Sequence, residues 1–210
     1  MSKTYSVTEI FLSIQGEGHN VGRLAVFVRL AGCNLKCPWC DTNHSAKMEM
    51  TADDIAALAR TLLPVWPRNA WHSQPLIVLT GGEPFLQLTP DLVRQLSYYD
   101  DYQVAVETNG TQDIEAFECL PWLWVTLSPK EEHPVHPSFR TLANEVKLVA
   151  TPWVTPELMD EFTKRFPQAM TYLQPLDSGG EMNVNQCLKL LLARPDWRLS
   201  VQVQKFLKQP

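Results

Sequence analysis

Five times along this chain an apolar run of strand length gives way directly to a glycine-rich or polar motif. AVFVRL runs into AGC, PLIVLT into GGEP, QVAVE into TNG, WVTL into SPK and MTYLQ into PLD. Stretches with helical spacing lie between most of these pairs, so strand and helix alternate. Alternation of this kind builds βαβ units around a parallel sheet. Ligands of such folds bind at the carboxyl ends of the strands. The motifs therefore gather on one rim, and that rim is the predicted site.

Strands are predicted at 6–14, 24–30, 75–80, 103–107, 124–127, 145–149, 170–174 and 198–204. Helices are predicted at 52–63, from Pro90 onward behind Thr89, weakly near 113–119, at 156–165 behind Thr155, and at 184–193. Thr51, with Asp54 three residues later, forms a variant capping box, and Pro90 takes the first helical position, where its missing N–H costs nothing. There are too few units for a full eight-fold barrel. The expected fold class is α/β: a partial, open β/α barrel in which residues 1–210 form a single domain and the cysteine loop occupies 31–44.

Apolar residues make up 45% of the chain and charged residues 20%, a globular composition. A net charge of −5 offers no surface made for phosphate backbones or anionic lipid, so neither nucleic acid nor membrane is an expected partner and small molecules are. The start, MSKTYSVTEI, carries no apolar signal core, and the longest apolar runs are strand-sized. The expected location is the cytoplasm.

Three of the five cysteines, Cys33, Cys37 and Cys40, crowd into one loop. They stand too close together for a secreted disulfide framework and read as thiolate ligands. Three thiolates at this spacing can hold three corners of a cubane iron–sulfur cluster and leave the fourth iron open. A zinc knot needs a fourth ligand, which Asp41 or His44 can supply, so the residues alone leave both readings standing. Cys119 and Cys187 fall in helix-like apolar patterns and are expected to be inert core thiols. His133 and His136, in a proline-rich stretch, read as solvated loop residues. Arg29 is a charge inside an apolar strand and needs a partner: a substrate carboxylate held bidentately, or a salt bridge to a neighbouring strand. Lys147 in EVKLV poses the same question, and a structural pairing is the simpler answer for it.

The cysteine spacing, Trp39 before the last cysteine, and GGEP at 81–84 together resemble the signature of the radical S-adenosylmethionine (SAM) superfamily. Within it, SIQGEGHNVGRLAVFVRLAGCNLKCPWCDT resembles the opening of the 7-carboxy-7-deazaguanine synthases, and VLTGGEP, VETNGT, VTLSPK, ANEVK, LQPLD and RLSVQ follow in that family's order. The match spans essentially the whole chain, far more specific than any single motif.

That resemblance implies a lyase of 7-deazapurine (queuosine) biosynthesis that turns 6-carboxy-5,6,7,8-tetrahydropterin into 7-carboxy-7-deazaguanine with loss of ammonia. It implies a [4Fe–4S] cluster on Cys33, Cys37 and Cys40, the residues on which catalysis depends. SAM is implied to lie against Trp39, Cys40, Asp41, Gly82, Ser128, Pro129, Lys130, Gln174, Pro175, Leu176 and Asp177. A Mg²⁺ ion is implied at Thr42, and the substrate against Ile14, Gln15, Gly16, Glu17, Arg29 and Thr80. A reductant such as flavodoxin or ferredoxin and a homodimer come with the family. One departure stands out: the family often ends in a motif like QTHK, whereas this chain reads QVQK, with Gln204 where a histidine is common. The last strand's substrate contacts, and the reach of the Pro210 carboxylate toward the site, are open. Two other readings remain at this level. One is a radical SAM activase that makes a glycyl radical on a partner protein, which QGEG and Arg29 speak against. The other is a non-enzymatic iron–sulfur redox sensor, which GGEP and the other rim motifs speak against.

Overall fold

Leu24–Leu30 (β2) alternates between two buried faces, and it sets the plan of the molecule. The computed structural model describes residues 3–63, 74–98 and 102–209. Val26, Val28 and Leu30 point to one side and join the large core, whereas Ala25 and Phe27 point to the other, into a small cluster with Leu76, Val78, Ala105 and Trp124. Strands apolar on both faces belong in a sheet covered on both faces. Here helices cover one face and the sheet's own curvature encloses the other.

Thr4–Ile14 (β1) precedes β2 and pairs with it antiparallel, and Met48–Thr51 (β3) pairs antiparallel with β1 on its other side. Six strands then follow β2 in parallel: Leu76–Gly81 (β4), Gln103–Thr108 (β5), Trp124–Leu127 (β6), Glu145–Val149 (β7), Met170–Gln174 (β8) and Arg198–Leu199 (β11). Between the last two lies a hairpin, Asp177–Ser178 (β9) with Glu181–Met182 (β10). Its turn is Gly179-Gly180, both at positive φ, which only glycine adopts without strain. The order of the main sheet is β11-β8-β7-β6-β5-β4-β2-β1-β3, with β11 and β3 as its two edges. The sheet is curved and unclosed, as expected for an open β/α barrel.

The outer face is covered by Ala52–Leu62 (α1), Pro90–Tyr98 (α2), Pro156–Arg165 (α4) and Val184–Ala193 (α5), with one turn, Phe139–Leu142 (α3), beside them. The capping box of α1 is present as read: Thr51 Oγ1 accepts from Asp54 N at 3.2 Å and Asp54 Oδ2 accepts from Thr51 N at 3.0 Å. Thr155 caps α4 from one side only, its Oγ1 accepting from Leu158 N at 3.3 Å. Ile55, Leu92, Met159 and Cys187 sink fully into the sheet. A fully buried aliphatic side chain of this size contributes about 2 kcal/mol.

Two predicted elements and one cysteine differ from the sequence reading. The region near 113–119 forms only a 3-10 turn, Glu115–Phe117, because the Asp113 carboxylate takes Glu115 N at 2.9 Å and closes a tight turn instead of a helix. Cys119 at its end is exposed rather than core, with Arg94 Nη2 donating to its sulfur at 2.9 Å. The strand expected at 198–204 stops at Leu199, and the chain turns into a short helix, Val203–Phe206 (α6). It is drawn off the sheet edge by the QGEG loop: Val203 N donates to Gly16 O at 3.1 Å.

Candidate active site

Along β4, β5, β6 and β8 the inner face changes from apolar to polar toward the carboxyl end. Val78 gives way to Thr80, Ala105 to Glu107, Trp124 to Thr126, and Tyr172 to Gln174. The floor of the barrel is therefore packed, and its mouth is a cleft of 560 Å³. A cavity of that size suits small organic molecules.

The cysteine loop covers one side of the mouth, and Cys33, Cys37, Trp39, Cys40, Asp41 and Thr42 all line it. From the strand ends come Thr80, Gly82, Ser128, Lys130 and Gln174, and from the QGEG loop Glu17. Pro129, Pro175, Leu176 and Asp177 stand behind this first surface; Asp177 reaches it through Lys205, which bridges Asp177 and Asp41 at 2.7 Å each. Ile14 ends β1, and Gln15 stands behind Glu17, its amide donating to Glu107 Oε1 at 2.9 Å and accepting from Glu17 N at 3.1 Å. Arg29 is in register with Thr80 on the neighbouring strand, with its Nε on Glu9 Oε1 at 2.8 Å, so the salt bridge that the sequence left open exists. Pro210 lies outside the described residues.

Glycine brings GGEP onto the cysteine loop. A Cβ on Gly82 would lie 2.0 Å from Gly32 O and 2.7 Å from Cys33 Cβ, and Glu83 N donates to Gly32 O at 2.9 Å. Three free thiols facing a cleft, with a backbone cradle pressed against them, fit a cluster held at three corners and open at the fourth. Among the described residues no three His, Cys, Asp or Glu side chains converge as ligands of a single ion. Thiolates of a cubane each take a different iron, so convergence on one point is not what such a cluster asks for.

Residues 28–134 match the Radical SAM superfamily. The 7-carboxy-7-deazaguanine synthase of Caulobacter vibrioides is 37% identical over 99% of this chain and 100% of its own length, and that of Burkholderia multivorans is 36% identical over 99% and 100%. The chain belongs to the 7-carboxy-7-deazaguanine synthase family. The crystal structure of QueE from Escherichia coli superimposes with a TM-score of 0.74 at 27% identity, covering 95% of this chain and 94% of that one. As a radical SAM enzyme the protein takes a [4Fe–4S] cluster and SAM.

The electrostatics of this synthase-family site centre on a buried cation. Lys147 pairs with Glu17, and Glu17 Oε1 also accepts from Gln202 Nε2 at 2.9 Å and Gln204 Nε2 at 3.1 Å. Burial alone would raise the Glu17 carboxyl; the charge and hydrogen bond of Lys147, with the two amides, overcome it and hold the group at about 2. Lys147 is raised by the same pairing and by Glu107 and Glu145, against its burial. Glu145, one strand step below Lys147, is pushed up to about 7 by burial, although Lys147 and the His19 N–H oppose the rise. Lys130, its Nζ 5.3 Å from the Trp39 ring centre and bonded to Ser128 O at 2.8 Å and Oγ at 2.7 Å, is brought down to about 8 by burial and by Lys147. Burial pushes the Cys37 thiol up, with the Lys130 charge pulling the other way.

Glu83 of GGEP is wholly buried, accepting from Asn109 N at 2.7 Å, Thr108 Oγ1 at 2.8 Å and Phe85 N at 3.0 Å. It ties the β4 and β5 motifs together. His136 N donates to Gly110 O at 2.8 Å, so the segment with His133 and His136 packs on the ETNG loop rather than in the cleft. Sequence reasoning gave no role to Glu145, Gln202 and Lys205, and it placed Glu107 on the rim only as part of ETNG. Glu107 and Glu145 carried a signal, each being an acid inside an apolar strand, the same anomaly that drew attention to Arg29.

Proposed function

We propose that the cleft binds 6-carboxy-5,6,7,8-tetrahydropterin and converts it to 7-carboxy-7-deazaguanine and ammonia, a redox-neutral ring contraction in which substrate equals product plus NH₃. The observation that carries this reading is the meeting of the three-thiol loop with the Glu17–Lys147 pair in one small-molecule cleft. The pair supplies a fixed carboxylate beside a buried cation, and Gln15 and Glu107 add an acceptor and donor set suited to the amide and amine edge of a pterin.

Bound to Cys33, Cys37 and Cys40, the cluster with SAM supplies the one-electron chemistry that generates a carbon radical. Trp39, Cys40, Asp41, Gly82, Ser128, Pro129, Lys130 and the stretch from Gln174 through Pro175 and Leu176 to Asp177 hold SAM. Lys130, already fixed on Ser128 and the Trp39 face, presents its ammonium to the cofactor's carboxylate. Ile14, Gln15, Gly16 and Glu17 hold the pterin edge, and Thr80 faces the ring. Arg29 keeps its Nε on Glu9 and has further donors for the substrate carboxylate, since a guanidinium carries five N–H groups. The Thr42 hydroxyl offers one oxygen to a Mg²⁺ ion, which needs few protein ligands. Lining the cleft from many strand ends fixes the reacting groups and keeps water out.

The same reading places the enzyme in the cytoplasm, acting as one domain and as a homodimer, with flavodoxin or ferredoxin delivering electrons at the exposed Cys40 side of the loop. No described helix is long and apolar enough to cross a membrane.

The test is an anaerobic reaction of the reconstituted protein with dithionite, SAM, Mg²⁺ and the tetrahydropterin, read by mass spectrometry. A product lighter than the substrate by one ammonia supports the reading. 5′-Deoxyadenosine without that product gives the cleft another substrate, and formation of neither product overturns the enzyme reading in favour of a redox sensor.

A further inference from the structure

Lys205 closes the QVQK stretch and was given no role in the sequence reading, yet it makes the contact that spans the cleft's two covers. It sits on α6 and donates to Asp41 Oδ2 in the cysteine loop and to Asp177 Oδ2 at the start of the β9–β10 hairpin, each at 2.7 Å. The Lys205 side chain is one-third exposed, Asp177 one-sixth and Asp41 more than half, so the Asp177 arm of the bridge is partly withdrawn from solvent and the Asp41 arm lies at the surface. The residues around it anchor the same short helix to a third piece. Val203 N holds Gly16 O, and the amides of Gln202 and Gln204 both hold Glu17 Oε1. Gln204 is pressed so close to Gly16 that a Cβ there would meet its Oε1 at 1.6 Å. Four residues in a row thus connect the QGEG loop, the cysteine loop and the β8 end. No strand joins these three: the QGEG loop follows β1, the cysteine loop follows β2, and β8 lies five places from β2 across the open sheet.

We propose that Lys205 is a positioning residue that fixes the cysteine loop, through Asp41, in register with the β8 end, and so couples the order of the cofactor side to the seating of Gln202 and Gln204 on Glu17. This rests on the reading of Asp41 and Asp177 as cofactor contacts. A single cation between two carboxylates suits the task, because it draws two otherwise repelling loops to a common point. The open barrel needs such a fastener. A closed barrel would fix its loops by continuous strand pairing, whereas here the strand that could have carried the pairing ends at Leu199.

The experiment compares wild type, Lys205→Met, which keeps length and loses charge, and Lys205→Arg, which keeps charge. In the full-length protein without cluster, hydrogen exchange is followed in peptides covering the cysteine loop, the β9–β10 hairpin and the strands β4 to β7. The expected result is faster exchange by about tenfold in the first two regions of Lys205→Met, the size of effect that loss of a charge-assisted hydrogen bond brings, with the strands unchanged and Lys205→Arg close to wild type. In the reconstituted enzyme the KM for SAM rises by a similar factor in Lys205→Met while kcat falls less, and arginine restores it. Wild-type exchange in both loops of Lys205→Met overturns the proposal. Acceleration spread over β4 to β7 also overturns it, since Lys205 would then be a general stabiliser. If wild type makes no product, the functional reading fails, and the exchange data still decide whether Lys205 holds the loops.

Discussion

Glu17 and Lys147 face one another across the mouth of the barrel, 130 residues apart in sequence, with side chains only 13% and 6% exposed. A pair this deep costs much desolvation, and removing one partner leaves the other charge buried and unmatched.

Lys147→Met is therefore expected to lower stability by about 3 kcal/mol, whereas the double variant Glu17→Gln with Lys147→Met recovers most of that loss, because no lone charge remains. Urea denaturation of the four proteins checks this. On the proposed substrate reading, both single variants and the double variant lose turnover, since each breaks the carboxylate–cation pair that lines the cleft. The pair also sets an acid limit. The Glu17 pKa falls from 4.5 unfolded to about 2 folded, so its contribution is complete above about pH 4.5 and is lost as pH falls toward 2. Glu17→Gln should flatten the stability curve in that window.

Glu145 titrates in the opposite sense. Burial raises its folded pKa to about 7 from 4.5, so the folded state prefers the protonated acid. Its contribution is fully present below pH 4.5 and is lost as pH rises toward 7; the whole change is about 3 kcal/mol. Glu145→Gln keeps an oxygen for the His19 N–H and removes the titration. Thermal melts between about pH 5 and about pH 8 should show wild type losing stability more steeply than the variant, which becomes the more stable protein at the alkaline end. Equal slopes would mean that Glu145 stays ionised in the folded protein.

The alternation of strands and helices was legible because its signals are local. Thr51 and Asp54 meet within one turn of helix, and an apolar run such as LAVFVRL announces burial on two faces without reference to anything distant. The cysteine loop and GGEP were legible for the same reason. What escaped the sequence depends on partners far along the chain. Lys147 looked like a routine ion pair, yet its partner is Glu17, and Glu145 belongs to the same buried group. The final strand failed for a related reason: RLSVQVQ alternates well, but the carboxylate of Glu17 and the carbonyl of Gly16 take hold of Gln202, Val203 and Gln204 and bend the segment away. Tertiary contacts overrode a correct local pattern.

Gly82→Ala tests the closeness of the GGEP loop to the cysteines. The added methyl would sit 2.0 Å from Gly32 O, a backbone atom that cannot swing aside as a side chain could. The two loops must part, and Glu83 N then loses its bond to Gly32 O. Reconstituted Gly82→Ala should hold less iron and sulfide than wild type and, on the proposed seating of SAM at this strand end, lose turnover by at least about a hundredfold. Its melting temperature should fall by only a few degrees, roughly what one strained loop contact costs. Iron content and activity equal to wild type would show that the loops tolerate separation.

Cys37→Ala separates cluster chemistry from folding most cleanly. The cysteine loop contributes no strand to the sheet, and the Cys37 sulfur, half-withdrawn from solvent beside the Lys130 ammonium, contributes little to the core, which is built from β1 to β8 and the helices behind them. Removing one sulfur therefore leaves the circular dichroism spectrum and the urea midpoint near wild type. With only two thiolates left on the loop, the cluster loses a corner, and the one-electron step has no stable donor. Turnover should fall below detection, and iron per chain should drop well below four, the number a cubane carries. Retained activity in a folded Cys37→Ala protein would remove the cluster from this loop and with it the reason that GGEP, Lys130 and Asp41 face the same cleft.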